Sequence, residues 1–200
     1  MMDGMRTRRC EYGPCGAHLS ARHAHNARFC SGRCRVASHR AGRRVPSELT
    51  RRPRWVRHSA RKVPLTTAGR PASSTDPATW STHRAAASSA AGAGLGFVLD
   101  GDGIVCLDLD HCVDAEGEVA SWAQRVIDSA GPTWIELSRS RRGLHIWGLG
   151  SLPHGRRISL DGGGTVEMYA DGRFISVTGE TFGDTPSRLG DLQHVIDSLL

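Results

Sequence analysis

The chain has 200 residues, of which 38% are apolar and 23% are charged. This length suits one domain of about 130 to 150 residues with a small appendage, and it is too short for two ordinary globular domains. No apolar stretch has the length of about 18 residues that a membrane-spanning helix needs. The N-terminus also lacks the apolar segment of a secretory signal. The composition therefore excludes a membrane protein and predicts a cytoplasmic location.

The formal net charge of +6 is unevenly distributed. Residues 1–95 contain 18 Lys or Arg against 4 Asp or Glu, a balance of +14, whereas residues 96–200 contain 8 against 16, a balance of −8. The basic half favours a polyanionic partner, and the acidic half favours bound cations. Lys62 is the single lysine. Arginine suits bidentate phosphate binding, but a GC-rich genome produces the same bias without a functional cause.

Four of the six cysteines form two short-spaced pairs near the N-terminus, Cys10 with Cys15 and Cys30 with Cys34. In a reducing compartment such pairs favour a tetrahedral zinc site over disulfides, since they supply four thiolates. Three histidines between the pairs could replace a cysteine or could be exposed loop residues: His18, His23 and His25.

Residues 28–40 place the second cysteine pair at the start of a short basic helix, and this segment resembles the second half of small zinc knuckles of bacterial and phage proteins. In such a module the metal replaces a core that is too small to be stable alone. We predict a four-cysteine, zinc-knuckle-like module over residues 1–42, a basic linker over 43–54 and the main domain over 55–200.

Within the main domain, Asp76 and Pro77 predict the start of a helix towards Ala90, although this Ala- and Ser-rich region is also typical of a disordered linker. Alternating patterns then predict strands at 95–99, 104–110, 133–137, 144–149, 165–170 and 173–178, with helices at 118–130 and 191–200. The Asp171-Gly172 pair predicts a hairpin turn that joins the last two strands. The expected fold is α+β, with one mixed or antiparallel sheet and flanking helices.

Two acidic side chains share one face of the strand at 104–110. Asp108 and Asp110 lie about 7 Å apart at their Cα atoms, and like charges so close repel unless a cation lies between them. Oxygen ligands of this kind suit Mg²⁺ or Mn²⁺. The pair could equally well mark the end of an edge strand. In the predicted hairpin Glu167 pairs with Ser176, and its carboxylate is costly to place unless it meets a positive charge or solvent.

A third group of polar residues joins two of the predicted strands. The loop from Ser138 through Ser140 to Gly143 contains three arginines and leads to His145. Small hydroxyl residues with arginines and a histidine are suited to hold a triphosphate, although a solvated hairpin loop would have the same composition.

Taken in order, Asp108-x-Asp110, the loop that ends at His145, and Glu167 followed by the segment 173–179 resemble the archaeo-eukaryotic primase superfamily. The nearest branch is the bifunctional DNA primase/polymerase N-terminal domain of phages and plasmids. The resemblance covers about residues 55–200 and implies an RRM-like catalytic core. It further implies that the three acids hold two Mg²⁺ or Mn²⁺ ions. The residues implied to contact the incoming nucleotide are Ser138, Ser140, His145 and Arg173. Arg141 stands where the family usually has glycine.

The same resemblance implies template-directed nucleotidyl transfer, as a DNA primase, a DNA polymerase or both, in phage or plasmid replication. The implied partners are a single-stranded DNA template and nucleoside triphosphates, with a helicase supplied in trans. The basic arm and zinc module would hold the template through its phosphates. Trp55 could stack on an unpaired base, or it could be the first core residue of the domain. The alternative function is a non-catalytic single-stranded DNA-binding protein that retains the fold.

Overall fold

The computed structural model describes residues 8–10, 15–20, 22–24, 26–41 and 45–200, and it divides the chain into two units at residues 44 and 45. Residues 45–54, which belong to the predicted linker, lie in the larger unit, where Leu49 and Arg54 are buried. Among the described residues, no helix has the length and apolar character needed to cross a membrane.

The smaller unit combines a short backbone pairing with one helix. The N–H of Cys10 donates to the carbonyl of Ala17, and the N–H of Leu19 donates to the carbonyl of Arg8, each over 2.8 Å. Helix α1 (Gly32–Ala41) is the basic helix predicted at the second cysteine pair. Its first turn is capped by Ser31, whose hydroxyl accepts a hydrogen bond from the N–H of Cys34.

The larger unit is an α+β fold with two sheets. Its helices are α2 (Ser47–Thr50), α3 (His83–Ser88), α4 (Ser121–Ala130) and α5 (Gln193–Leu199). Its strands are β1 (Trp55–His58), β2 (Pro64–Leu65), β3 (Gly94–Asp100), β4 (Ile104–Leu109), β5 (Trp134–Leu137), β6 (Leu144–Leu149), β7 (Arg156–Leu160), β8 (Gly164–Tyr169), β9 (Asp171–Val177) and β10 (Gly190–Asp191). The smaller sheet has the order β2-β1-β3-β9, and the larger has the order β10-β6-β4-β8-β7 with β5 beside β6. All pairs are antiparallel except β10 with β6.

Apolar residues cover both faces of the larger sheet. On β4, Val105, Leu107 and Leu109 pack in one core with residues of helices α4 and α5. The alternate residues Ile104 and Cys106 pack in a second core with side chains of the smaller sheet. The alternation of side chains along a strand thus places Asp108 on the face that carries the second core.

Trp55 belongs to this second core. It is fully buried and packs edge-on against Phe97, with ring centroids 5.2 Å apart, and its indole N–H donates to the carbonyl of Leu49. The core alternative for Trp55 is therefore correct, because a ring without exposed surface is not available to stack on a base.

The predicted pairing of the last two strands is wrong. Strand β8 pairs with β4 and β7, whereas β9 pairs with β3, so the chain passes from one sheet to the other between them. Glu167 consequently lies opposite Asp108, and Ser176 lies opposite Gly96. The apolar side chains of the two strands enter different cores, Val166 and Met168 in one and Ile175 and Val177 in the other, which two separate sheets allow and one hairpin does not.

The helix predicted from Asp76 towards Ala90 is divided into two short pieces. Asp76 caps a single 3-10 turn (Pro77–Thr79), and helix α3 begins only after Thr82. Between them Ser81 exchanges two backbone hydrogen bonds with Trp55, which holds this segment in an extended conformation.

Candidate active site

A row of polar side chains crosses five strands of the larger sheet. The register places Glu136 opposite His145, His145 opposite Asp108, Asp108 opposite Glu167, and Glu167 opposite Arg157. Residues directly opposite one another on antiparallel strands share a face and lie side by side. The neighbouring row on the same face consists of Trp134, Trp147, Cys106 and Tyr169. The polar row therefore borders the core between the two sheets.

Asp108 occupies the centre of this row. Its Oδ1 atom lies 3.7 Å from Nε2 of His145, and this buried oxygen has no hydrogen-bond partner among the described residues. Burial raises the pKa of Asp108; His145 and Lys62 oppose the shift, and Asp110 and Glu167 add to it. A buried carboxylate oxygen without a partner is costly, and a cation is one group that would satisfy it.

Glu167 is hydrogen-bonded within the chain. The hydroxyl of Tyr169 donates to Oε2 over 2.6 Å, and Nε of Arg157 lies 3.8 Å from Oε1. Burial, followed by this hydrogen bond, raises the pKa of Tyr169 to about 12. The guanidinium of Arg173 lies over the Tyr169 ring, 4.3 Å from its centroid. Arg173 therefore contacts Tyr169, which in turn contacts the predicted third acid.

The three predicted acids are brought to one region but do not converge on a single point. Asp110 is exposed and lies one residue beyond the end of β4. Within the described ranges, the one group of three or more His, Cys, Asp or Glu ligand atoms close enough to share an ion is the cysteine cluster. Asp108, with its unpartnered buried oxygen, is thus the acid whose surroundings best fit a bound cation.

His145 is fully buried, and its two ring nitrogens face two different acids. Nδ1 lies 3.0 Å from Oε1 of Glu136, and Nε2 faces Asp108. Burial by itself lowers the pKa of His145, but the hydrogen bond and charge of Glu136, with the charge of Asp108, outweigh burial and raise it.

The serine loop packs against the end of β4. The hydroxyls of Ser138 and Ser140 lie 3.1 Å apart. A Cβ atom at Gly143 would lie 2.6 Å from the carbonyl of Leu109 and 3.5 Å from Cα of Asp110. This close approach, which requires glycine, brings the loop to the acid at the end of the strand.

Arg141 has a left-handed backbone, with φ of 61°. This is the conformation that glycine adopts without cost, and glycine is the residue usual here in the family that the loop resembles. The side chain forms an ion pair with Glu180 over 2.5 Å. Arg141 therefore occupies a backbone conformation that favours glycine.

Two residues of the region were not singled out by the sequence reasoning. Glu136 is a fully buried acid in a strand that is otherwise apolar, and the argument used for Glu167 applies equally to it. Lys62 has a φ of 58° at the turn between β1 and β2, and its charge acts on Asp108 and His145. The feature of the sequence that distinguishes Lys62 is that it is the single lysine in a chain rich in arginine.

A groove of about 360 Å³ adjoins the row through Thr178, which bonds to Glu136. Its lining includes Arg57, Arg139 and His58. Burial is the main cause that lowers the pKa of His58. The two guanidinium groups give this groove the charge that an anionic ligand requires.

The four predicted zinc ligands of the smaller unit converge. The Sγ atoms of Cys10, Cys15, Cys30 and Cys34 all lie within 4.8 Å of one another, and none forms a disulfide. Sulfur ligands around a tetrahedral zinc are separated by about 3.8 Å, so one ion fits this cluster. His18 is exposed, and His23 bonds to Ser20 and to the carbonyl of Cys30. His25 lies outside the described residues.

Comparison with known proteins gives one relevant similarity. The chain is 36% identical over 136 residues to a DNA primase-polymerase of Nitratiruptor phage NrS-1, and the match covers 64% of this chain and 19% of the phage protein. The chain therefore spans about a fifth of the length of that relative. No protein-family model matches the chain. The similarity supports a relationship between this chain and the DNA primase-polymerases.

Proposed function

We propose that this chain performs template-directed nucleotidyl transfer, as a DNA primase, a DNA polymerase or both, in phage or plasmid replication. The observation that carries the proposal is the position of Asp108 between His145 and Glu167 on adjacent strands, in a chain similar to a phage primase-polymerase. A cluster of acids is unfavourable for a protein that only binds DNA, since it repels the phosphates.

The acids would hold two divalent cations, Mg²⁺ or Mn²⁺. Asp108 would be the central ligand because its Oδ1 is buried and has no partner among the described residues, and Asp110 and Glu167, whose charges act on it, would be the other ligands. When bound, such ions lower the pKa of the attacking 3′-hydroxyl and stabilise the leaving pyrophosphate.

The positive and hydroxyl groups of the region would bind the nucleotide. Nε2 of His145 faces Asp108, and the charge of Lys62 acts on the same acid. Both groups would contact the triphosphate, together with the hydroxyls of Ser138 and Ser140. Arg173 would act through Tyr169, over which it stacks. Charged donors that are already in place reduce the reorganisation needed when charge develops on the phosphates.

The smaller unit would bind one zinc ion through its four cysteines and contact the single-stranded template through its arginines. Contacts between arginines and phosphates do not depend on the base sequence, and salt weakens them. We therefore expect an affinity for DNA that falls strongly as the salt concentration rises. A helicase supplied in trans would open duplex DNA for this template strand.

The test is transfer of labelled ribonucleotides and deoxyribonucleotides on primed and unprimed single strands, with Mg²⁺ or Mn²⁺. We expect products from the wild-type chain and none from the Asp108→Ala, Asp110→Ala double variant. Asp161→Asn is a matched control, because Asp161 is an exposed acid outside the row. If the wild-type chain yields no more product than the double variant, the enzymatic proposal is wrong. Retained DNA binding in that case would support the non-catalytic alternative.

A further inference from the structure

Glu136 is a fully buried carboxylate on β5, at the interior end of the polar row. Four N–H groups from two parts of the chain, β6 and the residues that follow β9, surround its two oxygens. Oε1 accepts from Nδ1 of His145 over 3.0 Å and from the indole N–H of Trp147 over 3.2 Å, and Oε2 accepts from the backbone N–H groups of Thr178 and Gly179, each over 2.9 Å.

These contacts determine whether Nδ1, the ring nitrogen of His145 that faces Glu136, carries a proton. An indole N–H and backbone N–H groups can only donate, so both carboxylate oxygens act as acceptors. Nδ1 of His145 must then be the donor to Oε1. The other nitrogen, Nε2, is left to face Oδ1 of Asp108 at 3.7 Å.

The same contacts keep the carboxylate from moving. Trp147 lies on β6 two residues from His145, whereas Thr178 and Gly179 follow β9 of the smaller sheet. A carboxylate held from both sheets is a rigid support for the imidazole ring. A buried charge is retained only when it is well paired, and Glu136 meets that condition.

We propose that Glu136 is a positioning residue, which holds His145 as an Nδ1–H donor and aims Nε2 at Asp108 and the incoming nucleotide. The part that concerns the nucleotide rests on the proposed function, whereas the orientation of the ring does not. Glu136 itself touches neither the nucleotide nor the acids that would hold the cations.

The orientation is tested by NMR on protein labelled with ¹⁵N-histidine, without nucleotide or metal. We expect a downfield, slowly exchanging Nδ1–H signal that disappears in His145→Gln, which assigns it. In Glu136→Gln the signal should move upfield and exchange faster, or be lost, because a neutral amide oxygen is a weaker acceptor than a carboxylate and an NH₂ group faces one of the two donor pairs. Glu136→Asp retains a carboxylate and should keep a weakened signal. Trp147→Phe, which removes a different donor to the same oxygen, should keep it and so controls for general destabilisation.

The kinetic test uses the same variants. We expect Glu136→Gln to lower kcat/KM for the nucleotide by about 10- to 100-fold with unchanged DNA affinity, as for other residues that orient a functional histidine, and Glu136→Asp to recover part of it. An Nδ1–H signal with unchanged shift and exchange rate in Glu136→Gln, or transfer by that variant at the wild-type rate, overturns the proposal. If Glu136→Gln does not fold, the test rests on Glu136→Asp. Loss of the Nδ1–H signal in a folded Glu136→Asp protein would also contradict the proposal. A wild-type chain without transfer activity would instead refute the proposed function, while the signal still tests the orientation.

Discussion

Asp108 lies directly opposite Glu167 across the antiparallel strands β4 and β8. Two acids in such positions repel each other when both are ionised. Asp108 is also buried enough for its pKa to be raised. This cost to stability suggests that the pair serves a purpose other than folding.

We expect Asp108→Asn to raise the free energy of unfolding by about 0.5 to 1 kcal/mol at pH 7.5 without divalent cations, while abolishing nucleotidyl transfer. The amide has nearly the same shape and removes one of the repelling charges. Urea titration of both proteins measures the first effect, and the transfer assay measures the second. A variant less stable than the wild type at this pH would contradict the expectation.

The same comparison should depend on pH. Because the pKa of Asp108 is raised in the folded state, its ionised form destabilises the fold above that pKa. As the pH falls through the folded pKa towards the unfolded value, the wild-type chain regains this stability. The advantage of Asp108→Asn should therefore shrink in acid, and an advantage that grows would be inconsistent with the buried, repelled carboxylate described here.

Tyr169→Phe should tighten Mn²⁺ binding by about two- to tenfold, because a hydrogen bond contributes about 0.5 to 1.5 kcal/mol net. The hydroxyl that donates to Oε2 of Glu167 competes with a cation for that oxygen, and Phe keeps the ring under Arg173. Electron paramagnetic resonance of free Mn²⁺ measures the affinity. In a Glu167→Gln background the same change should have no effect. Unchanged or weaker binding in the single variant would show that Tyr169 does not compete with the ion.

Arg141→Gly should be more stable than Arg141→Ala by about 1 kcal/mol. Both variants lose the exposed ion pair with Glu180, so their difference isolates the cost of the left-handed backbone. Chemical denaturation of the two variants side by side measures it. Equal stabilities would mean that the loop changes conformation once the arginine is removed.

Metal analysis of the purified protein should find one zinc ion per chain, and the Cys30→Ser, Cys34→Ser variant should lose it. Cys112→Ala is the matched control, since Cys112 is a free cysteine outside the cluster. A chain purified without zinc, or a double variant that keeps it, would refute the zinc assignment.

Much of the site could be predicted because a strand presents alternate residues to one face. This rule placed Asp108 and Asp110 on one face of the strand at 104–110, opposite its apolar side chains, without knowledge of the strand order. The order itself could not be predicted in the same way. The turn residues Asp171 and Gly172 favour a hairpin locally, but the packing of Ile175 and Val177 in the core between the sheets decided the outcome.

Glu136 was missed for a related reason. Its hydrogen-bond partners come from positions 9 to 43 residues away, and nothing near it in the chain reveals that a buried acid is satisfied there. The sheet brings the predicted acids, serines and histidine to one region, and their roles in nucleotidyl transfer stay predictions. The cysteine cluster needed only short-range spacing, which is why it was the easier site to find.

The hydrogen bonds of Glu136 to Thr178 and Gly179 also have a mechanical consequence. They join the residues that follow β9 of the smaller sheet to β5 of the larger sheet, next to His145. A motion that separates these two segments must break these bonds, together with those that join Leu137 to Thr178 and Glu180. The rate of hydrogen exchange at the amide of Gly179 would therefore measure how often these two segments separate.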